Sequence, residues 1–251
     1  GISVTYAKEQ FQWTETQAGF LPSMVFLWFF ILSVPTAMLM NRIGRKNTVL
    51  LSMLFTFAGM VLPFIDFSET SCYVAFALLG IGNTILQVSL NPLLANVVQG
   101  KGLTSSLTAG QFVKAISSFV GPLLAGYCSA ALGNWALMFP IYAVVTLISS
   151  AWLFLTPIQR EKVEGETSSF PANLKLLGDN KILLLFFGIL CVVGLDVGMN
   201  TLTPKLLLER VPGISTESAG YGTSWYFAAR TIGTFCGAFL LAKLSERGYF
   251  R

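Results

Sequence analysis

Gln87, Lys114, Asp196 and Arg230 each lie close to the middle of a long apolar stretch. Insertion scales put a charged side chain at bilayer depth at a cost on the order of 2.5 to 3.5 kcal/mol, so such residues face a bundle interior or a water-filled cavity and mark a pathway. Each has polar company at helical spacing. Asn83, Gln87 and Asn91 are four apart and share one helix face. Their amides offer donors and acceptors that discriminate among hydroxyl patterns, because an unmatched polar group is costly; the same amides can also act as glue between helices. Gln111 and Lys114 share a face, followed a turn later by Ser118. Asp196 and Asn200 are one turn apart, among Gly194, Gly198 and Pro204, residues that loosen a helix where transporters bend and bind. Thr223, Tyr226 and Arg230 form a fourth stripe.

These groups allow specific pairings. An ammonium at Lys114 requires a partner, and Asp196 is the available intramembrane carboxylate. That pair is either a switch that responds to a proton or substrate, or a static ion pair. Arg230, whose guanidinium forks onto carboxylates, can bridge to Asp196 or contact a substrate. Trp225 and Tyr226 can stack on a sugar face, although aromatic rings also serve ordinary packing. Histidine is absent, so proton chemistry falls to carboxylates. The chain contains no phosphate-cradling Gly-Lys-Ser/Thr loop, no Cys/His metal set and no triad. The expectation is a protein that is not an enzyme and uses no cofactor, metal or nucleic acid.

The elements that must position these residues are membrane helices. Hydrophobic residues make up 54% of the 251 and charged residues 11%, against about 25% charged in soluble domains. About 20 apolar residues cross a bilayer, and seven such spans are expected: 17–40, 47–66, 71–98, 103–131, 134–156, 181–208 and 217–243. The net charge of +4 is explained by where the charges fall. Arg42, Arg45 and Lys46, then Lys101, then Arg160, Lys162 and Lys175, then Lys243, Arg247 and Arg251 share one side if the helices alternate. The positive-inside rule makes that side cytoplasmic and starts residue 1 at the outer face. Gly1 opens on a polar segment without the pattern of a cleavable signal peptide. Cys72, Cys128, Cys191 and Cys236 have no metal or redox spacing and read as helix filler. Cys72 and Cys128 would both lie near the outer face, where a disulfide is the alternative.

The chain also repeats itself. Thr14 to Phe20 recurs loosely as Thr216 to Tyr221, with Ala18 and Ala219 separated by 201 residues and six expected spans beginning in between. A six-helix unit follows. It implies one helix before residue 1 and four after residue 251. Residues 157–180 are hydrophilic and read as a cytoplasmic linker with a short surface helix. The expected organisation is a half bundle over 1–156, holding the end of helix one and helices two to six, the linker, and the first two helices of a second half over 181–251.

The run Asn41, Arg42, Ile43, Gly44, Arg45, Lys46 resembles the cytoplasmic signature of the major facilitator superfamily, with Asn41 where the pattern has an acid. Gly80 to Pro92, Gly194 to Gly198 and Ala229 to Thr234 are similar to the fourth, seventh and eighth helices of its fucose and glucose/galactose proton symporter group. Gly121, Pro122 and Gly126 partly resemble the superfamily antiporters' fifth-helix motif, or simply allow close packing. The resemblance implies an all-α membrane protein, a major facilitator bundle with seven of twelve helices present. It further implies uptake of a monosaccharide or related sugar, with protons as coupling ion and the inner membrane as location. Gln87, Asn91, Gln111, Lys114, Asn200, Tyr226 and Arg230 become candidate substrate contacts. Asp196, with Lys114 and Arg230, becomes the coupling group or ion pair, and Asn41, Arg42, Gly44, Arg45 and Lys46 the cytoplasmic gate. In proton-coupled relatives the Gln87 position is a carboxylate, and an amide cannot titrate. Alternatives are an organic anion or sugar-acid transporter, motivated by two cations against one carboxylate, and a non-transporting membrane sensor or assembly subunit.

Overall fold

A computed structural model describes residues 2–98, 102–159 and 175–246. Its elements are helices: α1 (Ile2–Phe11), α2 (Glu15–Ile43), α3 (Arg45–Ile65), α4 (Glu69–Val97), α5 (Gly102–Leu132), a 3-10 turn (Trp135–Leu137), α6 (Met138–Leu155), a 3-10 turn (Leu176–Gly178), α7 (Asn180–Arg210) and α8 (Thr216–Glu246). Among the described residues six helices are long and apolar enough to cross a membrane, on α2 to α7. The seventh expected span is helical too, as the 31-residue α8. Its first three turns are crowded with Thr, Ser and Gly, which dilutes its apolar character. Of the expected linker, residues 160–174 lie outside the described residues. The part that is described carries the 3-10 turn, and Asp179 then caps α7 by accepting from the Lys181 and Ile182 N–H groups at 2.8 and 3.3 Å. All four cysteines are free thiols, Cys72 and Cys128 among them.

The repeat is visible in the helix starts. Thr14 caps α2 by accepting from the Gln17 N–H at 3.3 Å, and the Gln17 side chain accepts in return from the Thr14 N–H at 2.9 Å, completing a capping box. At the 201-residue offset stands Ser215, whose hydroxyl accepts from the Ser218 N–H at 3.2 Å at the start of α8. Ala18 and Ala219, one turn further on, are both fully buried.

Two packed units are present, with the boundary inside α7 between Asp196 and Val197. In the larger one, Tyr6–Val97 with Ala136–Asp196, α4 packs against both α2 and α3, and α3 also against α6. Lipid tails are as apolar as leucine, so helices associate there mainly where small residues let backbones approach. Gly80 and Gly82 supply the approach. A Cβ on Gly80 would stand 2.8 Å from Val25 Cα and 2.9 Å from Met24 O on α2. One on Gly82 would stand 2.4 Å from Thr56 Oγ1 and 2.8 Å from Ser52 O on α3. Gly59 makes the reciprocal approach, 2.9 Å from Ala75 O. At one end of this unit Phe11 stacks on Trp13 and on Phe67, with centroids 5.0 and 5.4 Å apart, and Trp13 stacks on Tyr73 at 4.9 Å. Tyr73 donates its hydroxyl to the Gln17 carbonyl at 3.2 Å, and Lys8 pairs with Glu15. These contacts fasten the α1–α2 turn to the α3–α4 turn.

The second unit is Gly1–Thr5, Val98–Trp135 and Val197–Arg251. Its main packing is α5 on α8. Ala115, Pro122, Ala125 and Cys128 are buried on α5, and Ala219, Thr223, Ser224 and Phe227 on α8. Ser224 donates to the Phe119 carbonyl at 3.1 Å, and a Cβ on Gly126 would lie 3.6 Å from the Tyr221 ring and 3.9 Å from Glu217 Cβ.

Gly82→Ala forces backbone apart and should lower stability by about 1–3 kcal/mol. Gly188→Ala, with nothing within 4 Å of the new carbon, should be neutral or stabilising. Thermal unfolding of the two purified variants in detergent checks this; equal midpoints would remove the packing role assigned to Gly82.

Candidate functional site: polar stripes on α4, α5, α7 and α8

Burial along α4 is uneven. Gly80, Gly82, Thr84, Ile85, Ser89 and Leu93 are buried, while Gln87 and Asn91 are exposed and Asn83 is half-buried. The buried hydroxyls are satisfied within the helix: Thr84 donates to Gly80 O at 2.9 Å and Ser89 to Ile85 O at 2.6 Å. The three amides make no hydrogen bond to any described residue. They offer donors and acceptors that no described residue takes up.

On α5, Gln111 and Lys114 are exposed and Ser118 is half-buried, its hydroxyl donating to the Lys114 carbonyl at 3.0 Å. On α7, Asp196 and Asn200 are half-buried, just before the fully buried Pro204. On α8, Thr223 is fully buried, and its hydroxyl has no hydrogen-bond partner among the described residues. Tyr226 is half-buried and meets Phe227 edge-on at 5.2 Å; the Arg230 guanidinium sits 6.0 Å from the Phe227 ring centre. Trp225 is 75% exposed. Gln111, Lys114, Asn200, Tyr226 and Arg230 thus belong to one unit, and Gln87 and Asn91 to the other. Among the described residues no group of three or more Cys, Asp or Glu could hold a metal ion.

Ser224 is a residue that sequence reasoning passes over. Pro122 lacks the N–H that would bond the Ser118 carbonyl, and its ring crowds that turn of α5. A hydroxyl from the neighbouring helix then reaches the adjacent Phe119 carbonyl. The one available signal was a serine on α8 beside a run of small residues.

The run from Asn41 to Lys46 is also given chemistry. Gly44 turns the chain at φ 88°, where a side chain would be strained, and returns its N–H to the Met40 carbonyl at 2.9 Å. Helix α3 then begins with Arg45 and Lys46 and without a side-chain cap. Two cations at a helix N-terminus oppose its dipole, yet both reach carbonyls of neighbouring helices. Arg45 donates to Pro92 O on α4 at 3.0 Å, and Lys46 to Phe154 O and Thr156 O at 2.9 and 2.8 Å, where α6 leaves its last carbonyls unpaired. Lys46 also stands 6.0 Å from the Phe154 ring centre. Between these groups lies a cavity of about 250 Å³ lined by Ile43 to Asn47 with Ile158 and Gln159. Asn41 is half-buried and Arg42 exposed.

The model of the Major Facilitator Superfamily matches residues 1–251. The chain belongs to this superfamily. It is a multi-pass membrane protein accordingly. It is 25% identical over 261 aligned positions to the glucose/galactose transporter of Brucella abortus biovar 1 (strain 9-941), and equally to that of Brucella abortus strain 2308. Each alignment covers 98% of this chain and 63% of the relative, so the chain spans a little under two thirds of these relatives. In structure it is similar to the Escherichia coli fucose:proton symporter, with a TM-score of 0.69 at 18% identity over 93% of this chain and 65% of that one. A second structure of FucP, in its outward conformation, gives 0.67 at 18% identity over 92% and 64%. These likenesses show the family's helical bundle.

Two variants test the local assignments. Ser224→Ala should cost about 0.6 kcal/mol, the usual worth of an interhelical hydrogen bond in a membrane protein, whereas Ser117→Ala, which loses only a bond to its own helix, should change little. Lys46→Gln should expose the end of α6, so that protease cleavage between Pro157 and Gln159 accelerates while Lys46→Arg stays protected; fragment mapping by mass spectrometry reads both.

Proposed function

We propose that this protein is a secondary transporter that takes up a monosaccharide or a related sugar by proton symport with alternating access. The observation that carries this reading is the α4 amide face. Gln87 and Asn91 are exposed and have no hydrogen bond among the described residues. Amides held in this way suit a ligand rich in hydroxyls. The glucose/galactose transporters and the fucose:proton symporter to which the chain is similar point to the same substrate class and coupling ion.

Gln87, Asn91, Gln111 and Asn200 are assigned to sugar hydroxyls, and Tyr226 to stacking against a ring. Asp196 is the candidate titrating group, since Gln87 cannot take up a proton. The halves are 1–156 and 181–251, joined by 157–180. The repeated helix start supports this division, with Thr14 and Ala18 matched at the 201-residue offset by Ser215 and Ala219. The turn at Asn41 to Lys46 is the cytoplasmic gate, supported by its ties to α4 and α6. The inner membrane is the proposed location, with the basic connections cytoplasmic.

In cells expressing the whole protein in weakly buffered medium, adding galactose, glucose or fucose should make the medium more alkaline. Asp196→Asn should abolish that response, and Gln87→Ala should raise the half-saturating sugar concentration about tenfold, the order of one or two lost hydrogen bonds. Sugar accumulation without any pH change would remove the proton from the mechanism. Tight sugar binding without flux would turn the protein into a sensor.

A further inference from the structure

The cavity of about 250 Å³ beside the Asn41 to Lys46 turn has two walls. One is the start of α3, from Gly44 to Asn47, with Ile43 before it; the other is Ile158 and Gln159, just past the end of α6. Both belong to the same packed unit. Close-packed interiors hold few voids larger than a water molecule, so a space of this size between helix ends that are tied together is room for a ligand.

The chemistry of the walls selects the charge of that ligand. Lys46 commits two of its three N–H donors to the carbonyls of Phe154 and Thr156. Both partners are neutral dipoles, so these bonds orient the ammonium without cancelling its charge, and one donor remains. The first N–H groups of α3 have no side-chain cap and add the positive end of the helix dipole to the same wall. Arg45, engaged with the Pro92 carbonyl, closes this wall towards α4. Opposite, Gln159 is held through its own carbonyl by Asn96 at 3.5 Å, and its side-chain amide makes no hydrogen bond to a described residue. Among the described residues that line the cavity none is acidic.

The surroundings select the source. The Phe154 ring, its centre 6.0 Å from the Lys46 ammonium, is 69% exposed, and Leu155 beside it 77%. On a membrane helix such side chains meet acyl tails. A basic pocket at the ends of membrane helices, with tail-facing surface running up to its rim, has the character of a site for an anionic lipid head group.

We propose that this cavity binds the phosphodiester head group of an anionic phospholipid. The remaining N–H of Lys46 and the uncapped start of α3 hold the phosphate, Gln159 donates from the far wall, and the acyl chains lie along the end of α6. The lipid then ties α3 to α6 beside the bonds that Lys46 already makes. This site lies apart from the polar stripes and requires neither a sugar nor a proton.

The test uses the whole purified protein, exchanged repeatedly into detergent with phosphatidylglycerol or phosphatidylcholine, and counts retained lipid by native mass spectrometry. Both head groups carry a phosphate, but phosphatidylglycerol alone is net negative. Wild type should retain one more phosphatidylglycerol than phosphatidylcholine. Gln159→Glu places a carboxylate on the cavity wall with almost no change of shape. Occupancy by phosphatidylglycerol should then fall about tenfold, the order of one hydrogen bond to a charged group. The unfolding midpoint of the lipid-free variant should stay at or above that of wild type, which separates loss of the site from misfolding. Lys46→Gln should lose the lipid as well, and Lys46→Arg should keep most of it; this pair decides the matter if Gln159→Glu does not fold. Equal retention of the two lipids, or phosphatidylglycerol retention unchanged in both Gln159→Glu and Lys46→Gln, would overturn the site. Inorganic phosphate should leave the midpoint of lipid-free wild type in place; a rise equal to that given by phosphatidylglycerol assigns the cavity to a soluble anion and sinks the lipid.

Discussion

Within a bilayer no water is present to take up an unpaired N–H or C=O, so each backbone group must find its partner inside the protein. Everything else about this chain follows from that constraint. It explains why helices account for the apolar stretches, and why the ends of those helices are where charged side chains go. Several serine and threonine hydroxyls obey it as well. Those on α4 return to carbonyls one turn back rather than wait for water. Where a proline breaks the ladder on α5, a serine from α8 comes to the adjacent carbonyl.

The same solvent removes most of the hydrophobic drive between helices, so close backbone approach does that work. Gly59, Gly80 and Gly82 bring α2, α3 and α4 to distances that a Cβ would prevent. Gly80 and Gly82 point to different sides of α4, one to α2 and the other to α3, so the two neighbours grip it from both flanks.

Much of the fold was legible in the sequence. Span limits fell within a few residues of the helix ends, because apolar length and basic turns are set by bilayer thickness and charge. The repeat was legible through Ala18 and Ala219, and the same 201-residue offset sets the capping Thr14 against Ser215. The site was legible as residue types on helical faces, four apart, and no further. Ser224 on Phe119 depends on how two distant helices cross. No spacing within one helix encodes that. The roles of Arg45 and Lys46 were similarly half visible: a basic turn could be read, but the carbonyls they hold lie 47 to 110 residues away.

The grip of Lys46 on the end of α6 can be read as a mechanical element. Its ammonium holds the carbonyl of Thr156, the residue that follows the last turn of the helix, so α3 and α6 are tied as a strut is tied by a brace. Any swing of the following chain relative to α6 has its pivot no earlier than Pro157. Load arriving along that chain passes through a lysine into the start of α3, and from there into the glycine-packed block of α2, α3 and α4, which must respond as one piece.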